Sequence, residues 1–502
     1  MRSAGKAALA VLACGALAYA LTARRAQPQP FTRQLVPITG PLAVSRINPR
    51  YFSDPGGRTV YLTGSHNWDN LLDRRANPPF AFNAYLDFLQ DHNLNFIRLW
   101  TRESAAPRTG DSYHDTYPLA YLRTGPGVAA DGLPKFDLTK FDPDYFARLR
   151  ARVQQAHDRG IYVMVMLFHG FSIQNKGGTR VNPWPGHPYN ARNNVNGIDG
   201  DANGNGEGEE VHSLGIPAVT ALQEAYVRKV IDTVGDLDVL YEIANESPRS
   251  SVQWQYHMIR FIRDYELGQG RYNPIVMSYM WDGEGSNTTD ANLPLFASPA
   301  EAVAPGPGNR SEYKLDPPAA DGAKVVFSDT DHIWGSGGDA DWVWKSFLRG
   351  LNPILMDTLG DPSLEPARRA MGQTRTAASQ IGLAGMRPRG ELASSGYCLA
   401  NAGIEYLVYA PTDSIPLESR LRRWLKSAPV LWRFASVSQR IRSVVKLSVE
   451  VDLTQAPQPF AVSWFNTLSG RFEPAGQIAG GHKTVLTAPR AGPLILHLVR
   501  QE

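Results

Sequence analysis

The chain has 502 residues, of which 43% are hydrophobic and 20% charged, and a formal net charge of +3. This is ordinary globular composition, long enough for a large core and a second domain. So small a net charge gives no case for a nucleic-acid partner. The 11 Trp and 20 Tyr suit a sugar or other ring-bearing ligand as readily as they fill cores. The two cysteines are Cys14 and Cys398, and there is no CxxC or His-rich metal spacing.

At the N-terminus, Arg2 and Lys6 precede an apolar run from Ala7 to Leu21, and Arg24 and Arg25 follow it. Residues 1–23 read as a secretory signal with an A-x-A site ending at Ala18, or as a retained membrane anchor. "VLAC" at 11–14 also has the look of a lipoprotein cleavage box. Each version places the protein outside the cell or in its envelope, and any membrane contact is through this segment. Residues 24–34, with "AQPQPFTRQ", read as a linker.

From 35 to 394 short apolar strands alternate with amphipathic helices. Strands are predicted at 59–66, 95–100, 161–168, 238–246, 274–281, 324–332 and 352–357, with a looser segment near "LFASPAEAVAPG" (295–306) between the fifth and seventh units. Helices are predicted at 80–92, 144–159, 217–232, 252–266, 341–350 and 363–380. About eight βα repeats favour a closed (β/α)8 TIM barrel over an open doubly wound sheet. No Gly-rich phosphate loop follows the first strand, which counts against a dinucleotide fold. From 395 to 502 the pattern becomes "IEYLVYAP", "KLSVEVDL", "FAVSWFNT", "KTVLTAP" and "PLILHLV", strands of a small antiparallel β-sandwich. Between them, 417–443 begins as a surface helix with Leu417, Leu421, Trp424 and Leu425 on one face.

A (β/α)8 barrel carries its active site at the C-terminal ends of its strands. Strand one ends in Ser65, His66, Asn67 and Trp68. Strand two carries Arg98 and ends in Trp100 and Glu103; strand three ends in His169. Strand four ends in Asn245 and Glu246, and strand five in Trp281 and Asp282, with Glu284 beyond. Strand seven ends in Asp329, Asp331, His332 and Trp334, and strand eight in Asp357. Each alone has a structural explanation, as a helix cap or a satisfied core group. Together they gather carboxylates, imidazoles and indoles on one rim, as glycoside hydrolysis requires. Alternation puts Val325, Phe327, Asp329 and Asp331 on one face of strand seven. Glu242 shares the parity of Glu246, so it also points inward, where a buried carboxylate needs a partner. Arg98 is the expected partner, in a structural pair that supports the site.

The stretches "TGSHNWDNL", "FIRLW", "VLYEIANE", "FSDTDHIWG" and "WVWKSFLRGLNPILMD" resemble a known group. They look like the clan of retaining (β/α)8 glycoside hydrolases with Asn-Glu at the end of strand four. More closely, they resemble a bacterial family of cellulase-like barrels followed by a domain named for collagen binding. The resemblance implies a secreted glycoside hydrolase acting on a poly- or oligosaccharide. Glu246 would be its acid/base, with Asn245 orienting the sugar. His66, Trp68, Arg98, Trp100, His169, Trp281, His332 and Trp334 would be further substrate contacts. The clan's usual nucleophile is a Glu at the end of strand seven. Here Asp329 stands in that place, with Asp331 as the alternate, one methylene shorter in reach. The competing reading is a non-catalytic carbohydrate- or matrix-binding protein on a degenerate barrel.

Catalysis by two carboxylates needs no cofactor. A structural calcium ion is the one metal the sequence suggests. "DGDANGNGEGEE" at 199–210 matches a calcium-loop pattern, with Asp199, Asp201, Asn203, Asn205 and Glu210 as oxygen donors and Gly204 at the turn. The alternative is an Asn/Gly-rich surface loop.

Overall fold

The computed structural model describes residues 30–501, except 32, 34, 75–76, 106–115, 178–181, 284–290, 309–310, 412–446 and 491. The N-terminal signal or anchor, the linker up to residue 29, Cys14, Glu284 and the 417–443 segment therefore lie outside the described residues. The chain divides into two compact units, one spanning Phe31–Pro388 and the other containing Arg389 onward.

The first unit is a closed eight-stranded parallel barrel. Its strands are β1 (Gly64–His66), β2 (Phe96–Leu99), β3 (Tyr162–His169), β4 (Leu240–Asn245), β5 (Ile275–Ser278), β6 (Ala302–Ala304), β7 (Val325–Asp329) and β8 (Asn352–Met356). Every residue of these strands is buried, as expected where helices cover one face and the barrel core the other. The long helices are α1 (Phe82–Asp91), α2 (Pro143–His157), α3 (Pro217–Val234), α4 (Val252–Gly268), α5 (Ala340–Leu348) and α6 (Glu365–Ala378). Local chemistry fixes their starts. The Asp142 carboxylate accepts the Asp144 N–H, with Pro143 in the first turn of α2, and Asp339 accepts the Trp342 N–H to open α5.

The predicted first strand is split. Thr59–Val60 pairs antiparallel with Phe52–Ser53, which pairs with Ala43–Val44, and only Gly64–His66 joins the barrel. Gly64 is required where β1 meets β2, because a Cβ there would lie 1.8 Å from the Phe96 carbonyl oxygen. Leu42, Phe52 and Val60 share one apolar cluster with Phe96, Met164, Leu240, Val276, Val325, Phe327 and Ile354. That cluster fills the N-terminal end of the barrel. Polar inward side chains are left to the C-terminal end, where Arg98 and Glu242 are the next inward residues after Phe96 and Leu240.

A hairpin of Tyr121–Val128 and Pro134–Phe141 is an addition the sequence did not announce. Gly125, Pro126 and Gly127 interrupt its first strand and hide the alternation. β7 also ends earlier than predicted. From Thr330 to Ile333 the backbone is a helical turn, so strand alternation does not extend to Asp331.

In the second unit, Tyr397–Asn401, Glu405–Ala410, Leu494–Arg500, Phe460–Asn466 and Arg471–Ile478 are neighbours in that order in an antiparallel sheet. Ser448–Asp452 pairs with Lys483–Thr487. Tyr406, Val408, Val449, Val451, Phe460, Trp464, Leu496 and Leu498 form the shared core, and Cys398 is a free, buried member of it. Arg471–Ile478 escaped sequence reading because it is mostly exposed and carries Pro474 and Gly476 at a bulge.

Candidate active site

Arg98 is the hub of the C-terminal mouth. Its Nε donates to Glu242 Oε2 at 2.6 Å, and its Nη2 donates to Glu242 Oε1 and to Asn245 Oδ1 at 2.7 Å. Its Nη1 donates to Asp329 Oδ2 at 3.3 Å and Asp331 Oδ2 at 3.0 Å. All five guanidinium N–H groups are thereby used. Burial disfavours the Arg98 charge, but Glu242, Asp329 and Asp331 outweigh it and raise the pKa further. Three carboxyl groups around one guanidinium also make an electron-rich floor, suited to positive charge developing above it.

The two acidic residues after β7 have different surroundings. Asp329 is 0% exposed. Its Oδ1 accepts from His66 Nε2 at 2.8 Å and from the Asp331 N–H at 2.9 Å. Burial would raise its carboxyl, yet His66 and Arg98 beside it hold it well below the usual carboxylate range. Asp331 has a side chain 9% exposed and lines an open cleft of about 690 Å³, as does Glu246; Asp329 does not line it. The cause is the early end of β7: Asp329 caps the helical turn and stays inside, and the turn carries Asp331 to the surface of the mouth.

His66 and Asn245 have their orientations fixed by their partners. The Trp100 indole N–H donates to His66 Nδ1 at 2.7 Å, so the proton of the neutral ring is on Nε2, facing Asp329. Asn245 Oδ1 accepts from Arg98 and lies 3.1 Å from His332 Nε2. Arg98 can only donate, which places the amide oxygen there and turns Nδ2 elsewhere. That Nδ2 is buried without a partner among the described residues, in a side chain that borders the cleft. Burial, aided by Arg98, keeps His332 below its ordinary pKa against the opposing pull of Asp329, and burial with Arg102 lowers His169.

Aromatic rings form the walls. Trp68 is 39% exposed, and Trp100, Phe171, Trp281 and Trp334 also line the cleft. Phe171 lies between His169 and Trp281, at 5.8 and 5.4 Å. Cationic groups reach the rim as well, with Lys314 Nζ 5.1 Å from the Trp334 ring. The structure thus brings Trp68, Trp100, His169, Asn245, Glu246, Trp281, Asp331, His332 and Trp334 to one cleft. His66, Arg98, Glu242 and Asp329 lie beneath it, fully buried.

Other strand-end residues are otherwise engaged. Asp357 accepts two hydrogen bonds from Arg368, at 3.0 and 2.6 Å. Asp282 accepts the Arg249 N–H at 2.9 Å. Glu103 accepts the His169 N–H at 2.7 Å and has His187 Nε2 and His212 Nε2 3.7 and 3.6 Å from its oxygens. Burial opposes its charge, but His187 and His212 lower its pKa to about 2. His187 Nδ1 accepts the Tyr189 N–H at 3.0 Å, so its Nε2 carries the proton and is no metal ligand.

Lys176, His187 and His212 were missed in the sequence. They come from the long excursion between β3 and β4, where no strand end or spacing marks them. Burial lowers Lys176 to about 8 against the opposing pull of Glu246 and Asp282.

In the calcium-loop segment the side-chain oxygens accept backbone N–H groups of the loop itself. Asp201 accepts the N–H groups of Asn205 and Gly206, Asp199 that of Asp201, and Asn203 that of Asn205. Asn205 Oδ1 in turn accepts the Glu207 N–H. Among the described residues, no group of three or more His, Cys, Asp or Glu converges to hold a metal. The oxygens shape local turns, as Asn and Asp do in Gly-rich loops.

A family model described as a domain of unknown function, DUF6298, matches residues 102–292, which include β3 to β5. No curated protein matches the chain. Among solved structures, the chain is similar to a glycoside hydrolase family 5 protein from Bacteroides vulgatus ATCC 8482. The identity is 10%, over 93% of this chain and 95% of that one, with a TM-score of 0.54. It is also similar to a protein described as a glycoside hydrolase, at 10% identity over 93% and 99% of the two chains and a TM-score of 0.52. At such identities the likeness is one of fold.

Proposed function

We propose that the protein is a glycoside hydrolase acting on a poly- or oligosaccharide, with Glu246 as general acid/base and Asp331 as the opposing carboxylate. The observation that carries this reading is the shared cleft: Glu246 after β4 and Asp331 after β7 line one cavity walled by Trp68, Trp281 and Trp334. In the retaining form, Glu246 protonates the glycosidic oxygen as an Asp331 oxygen bonds to the anomeric carbon and the leaving alcohol departs. Water then attacks that carbon, gives its proton to Glu246 and releases Asp331. Asn245 Nδ2, left over after Arg98 and His332 take the amide oxygen, is the donor for a sugar hydroxyl. Asp329 has the supporting role of holding His66, Arg98 and the turn that presents Asp331.

The export segment belongs to the same proposal, because a polysaccharide is met outside the cell; fractionation of the native host with and without residues 1–30 tests it. For the C-terminal unit we assign no ligand.

The function is tested on a panel of glycosides, with product stereochemistry followed by NMR. Turnover by the wild type, lost in Asp331→Asn and in Glu246→Gln on poor leaving groups, with first-formed product of retained configuration, is the expected outcome. Binding on a glycan array with no turnover would replace the hydrolase with a carbohydrate-binding protein on the same barrel.

A further inference from the structure

Lys176 is 1% exposed, in the loop after β3. Its ammonium donates to Gln174 Oε1 at 2.9 Å, to the main-chain carbonyl of Glu246 at 3.0 Å, and to that of Trp281. Its three N–H donors therefore meet three neutral oxygens. The Phe171 ring, which packs on Trp281, is 5.9 Å from Nζ.

A buried ammonium satisfied only by carbonyls is an expensive way to hold a loop, and a methionine would fill the same volume. What the ammonium holds is unusual. Glu246 has φ +44°, a left-handed backbone that non-glycine residues seldom adopt. Its carbonyl also passes so close to Gly170 that a Cβ there would lie 2.1 Å away. The Trp281 N–H donates to the Ser247 carbonyl at 3.0 Å, so the segments after β4 and β5 are also joined directly. Strain of this kind persists only where surrounding contacts over-determine it, and it collects at functional sites.

We propose that Lys176 is a positioning residue: it pins the left-handed peptide at Glu246 and the carbonyl of Trp281, fixing the acid/base carboxyl and the aromatic wall relative to each other. The inference rests on the hydrolase reading above. Lys176 touches no substrate in this scheme. It acts by keeping the Glu246 carboxyl in reach of the leaving-group oxygen, so its loss weakens proton donation more than binding.

The test is Lys176→Met, assayed on aryl glycosides of graded leaving-group acidity, with thermal melts alongside. The expected result is a fall in kcat/KM of about tenfold or more on poor leaving groups, with little change in kcat/KM on dinitrophenyl glycosides, whose departure needs little protonation. An equal loss across all leaving groups, or no loss, would overturn the proposal. If Lys176→Met does not fold, Lys176→Gln, which keeps a donor in the same space, supports the same comparison. A wild type that turns over no glycoside would remove the hydrolase reading, and crystal structures of wild type and Lys176→Met then decide the positioning claim alone. A Glu246 peptide that leaves the left-handed region in the variant supports it; an unmoved peptide refutes it.

Discussion

Arg98 and Glu242 face each other across the barrel in a two-pronged ion pair, both wholly buried, with Nε 2.6 Å from Oε2. Neither charge is supportable there alone. Arg98→Met should destabilise the fold by about 3–5 kcal/mol, because Glu242 is left buried and unpaired. Arg98→Met/Glu242→Met should recover part of that loss, measured by urea unfolding, while turnover stays lost because Asp331 and Asn245 are no longer held.

Asp331 and Asp329 should separate in their mutant behaviour. Asp331→Asn is expected to abolish turnover with little change in Tm, and azide or formate should restore some activity to Asp331→Gly. Asp329→Ala should lower stability by about 1–2 kcal/mol through the lost cap alone, and by more as His66 and Arg98 lose their partner. Turnover that survives in Asp331→Asn but vanishes in a well-folded Asp329→Asn would return the nucleophile to Asp329.

The left-handed backbone of Glu246 inverts a familiar order of residues. Alanine is usually preferred to glycine, but at φ +44° a side chain costs about 1–2 kcal/mol. Glu246→Gly should therefore melt no lower than Glu246→Ala, although both lack the carboxyl. Calorimetry of the two variants decides it; a clearly lower Tm for the glycine variant contradicts the strained geometry.

Glu103 links stability to pH. Its folded pKa is lowered to about 2 from an ordinary 4.5, so the stability it contributes is complete above about pH 4.5 and drains away as pH falls toward 2. Glu103→Gln should be less stable than wild type at pH 7 and should lose less stability between pH 5 and 2. Parallel pH–stability curves for the two proteins would contradict the arrangement of His187 and His212 around the carboxylate.

The 199–210 loop offers its side-chain oxygens to its own backbone N–H groups. Thermal melts with EDTA and with added calcium should therefore coincide. A calcium-dependent rise in Tm, with calcium found by elemental analysis, would show that the loop opens to hold an ion.

The barrel was legible in the sequence because its evidence is local and repeated. Buried strands read as apolar runs, helices as amphipathic periods, and their alternation admits few folds. Parity within a continuous strand was equally reliable geometry: Arg98 and Glu242 point inward because side chains alternate, whatever lies around them. Parity failed where the backbone stopped being a strand. Asp329 and Asp331 differ in exposure because a helical turn begins between them at Thr330, a switch set by capping and packing rather than by the local run of residues. The partners of Glu246 depended still more on tertiary structure. Lys176 is 70 residues away in sequence, and only closure of the barrel brings its ammonium to the Glu246 carbonyl. The chain by itself determined which side chains reach the mouth; the packing of distant loops decided which of them face the cleft and which hold the others in place.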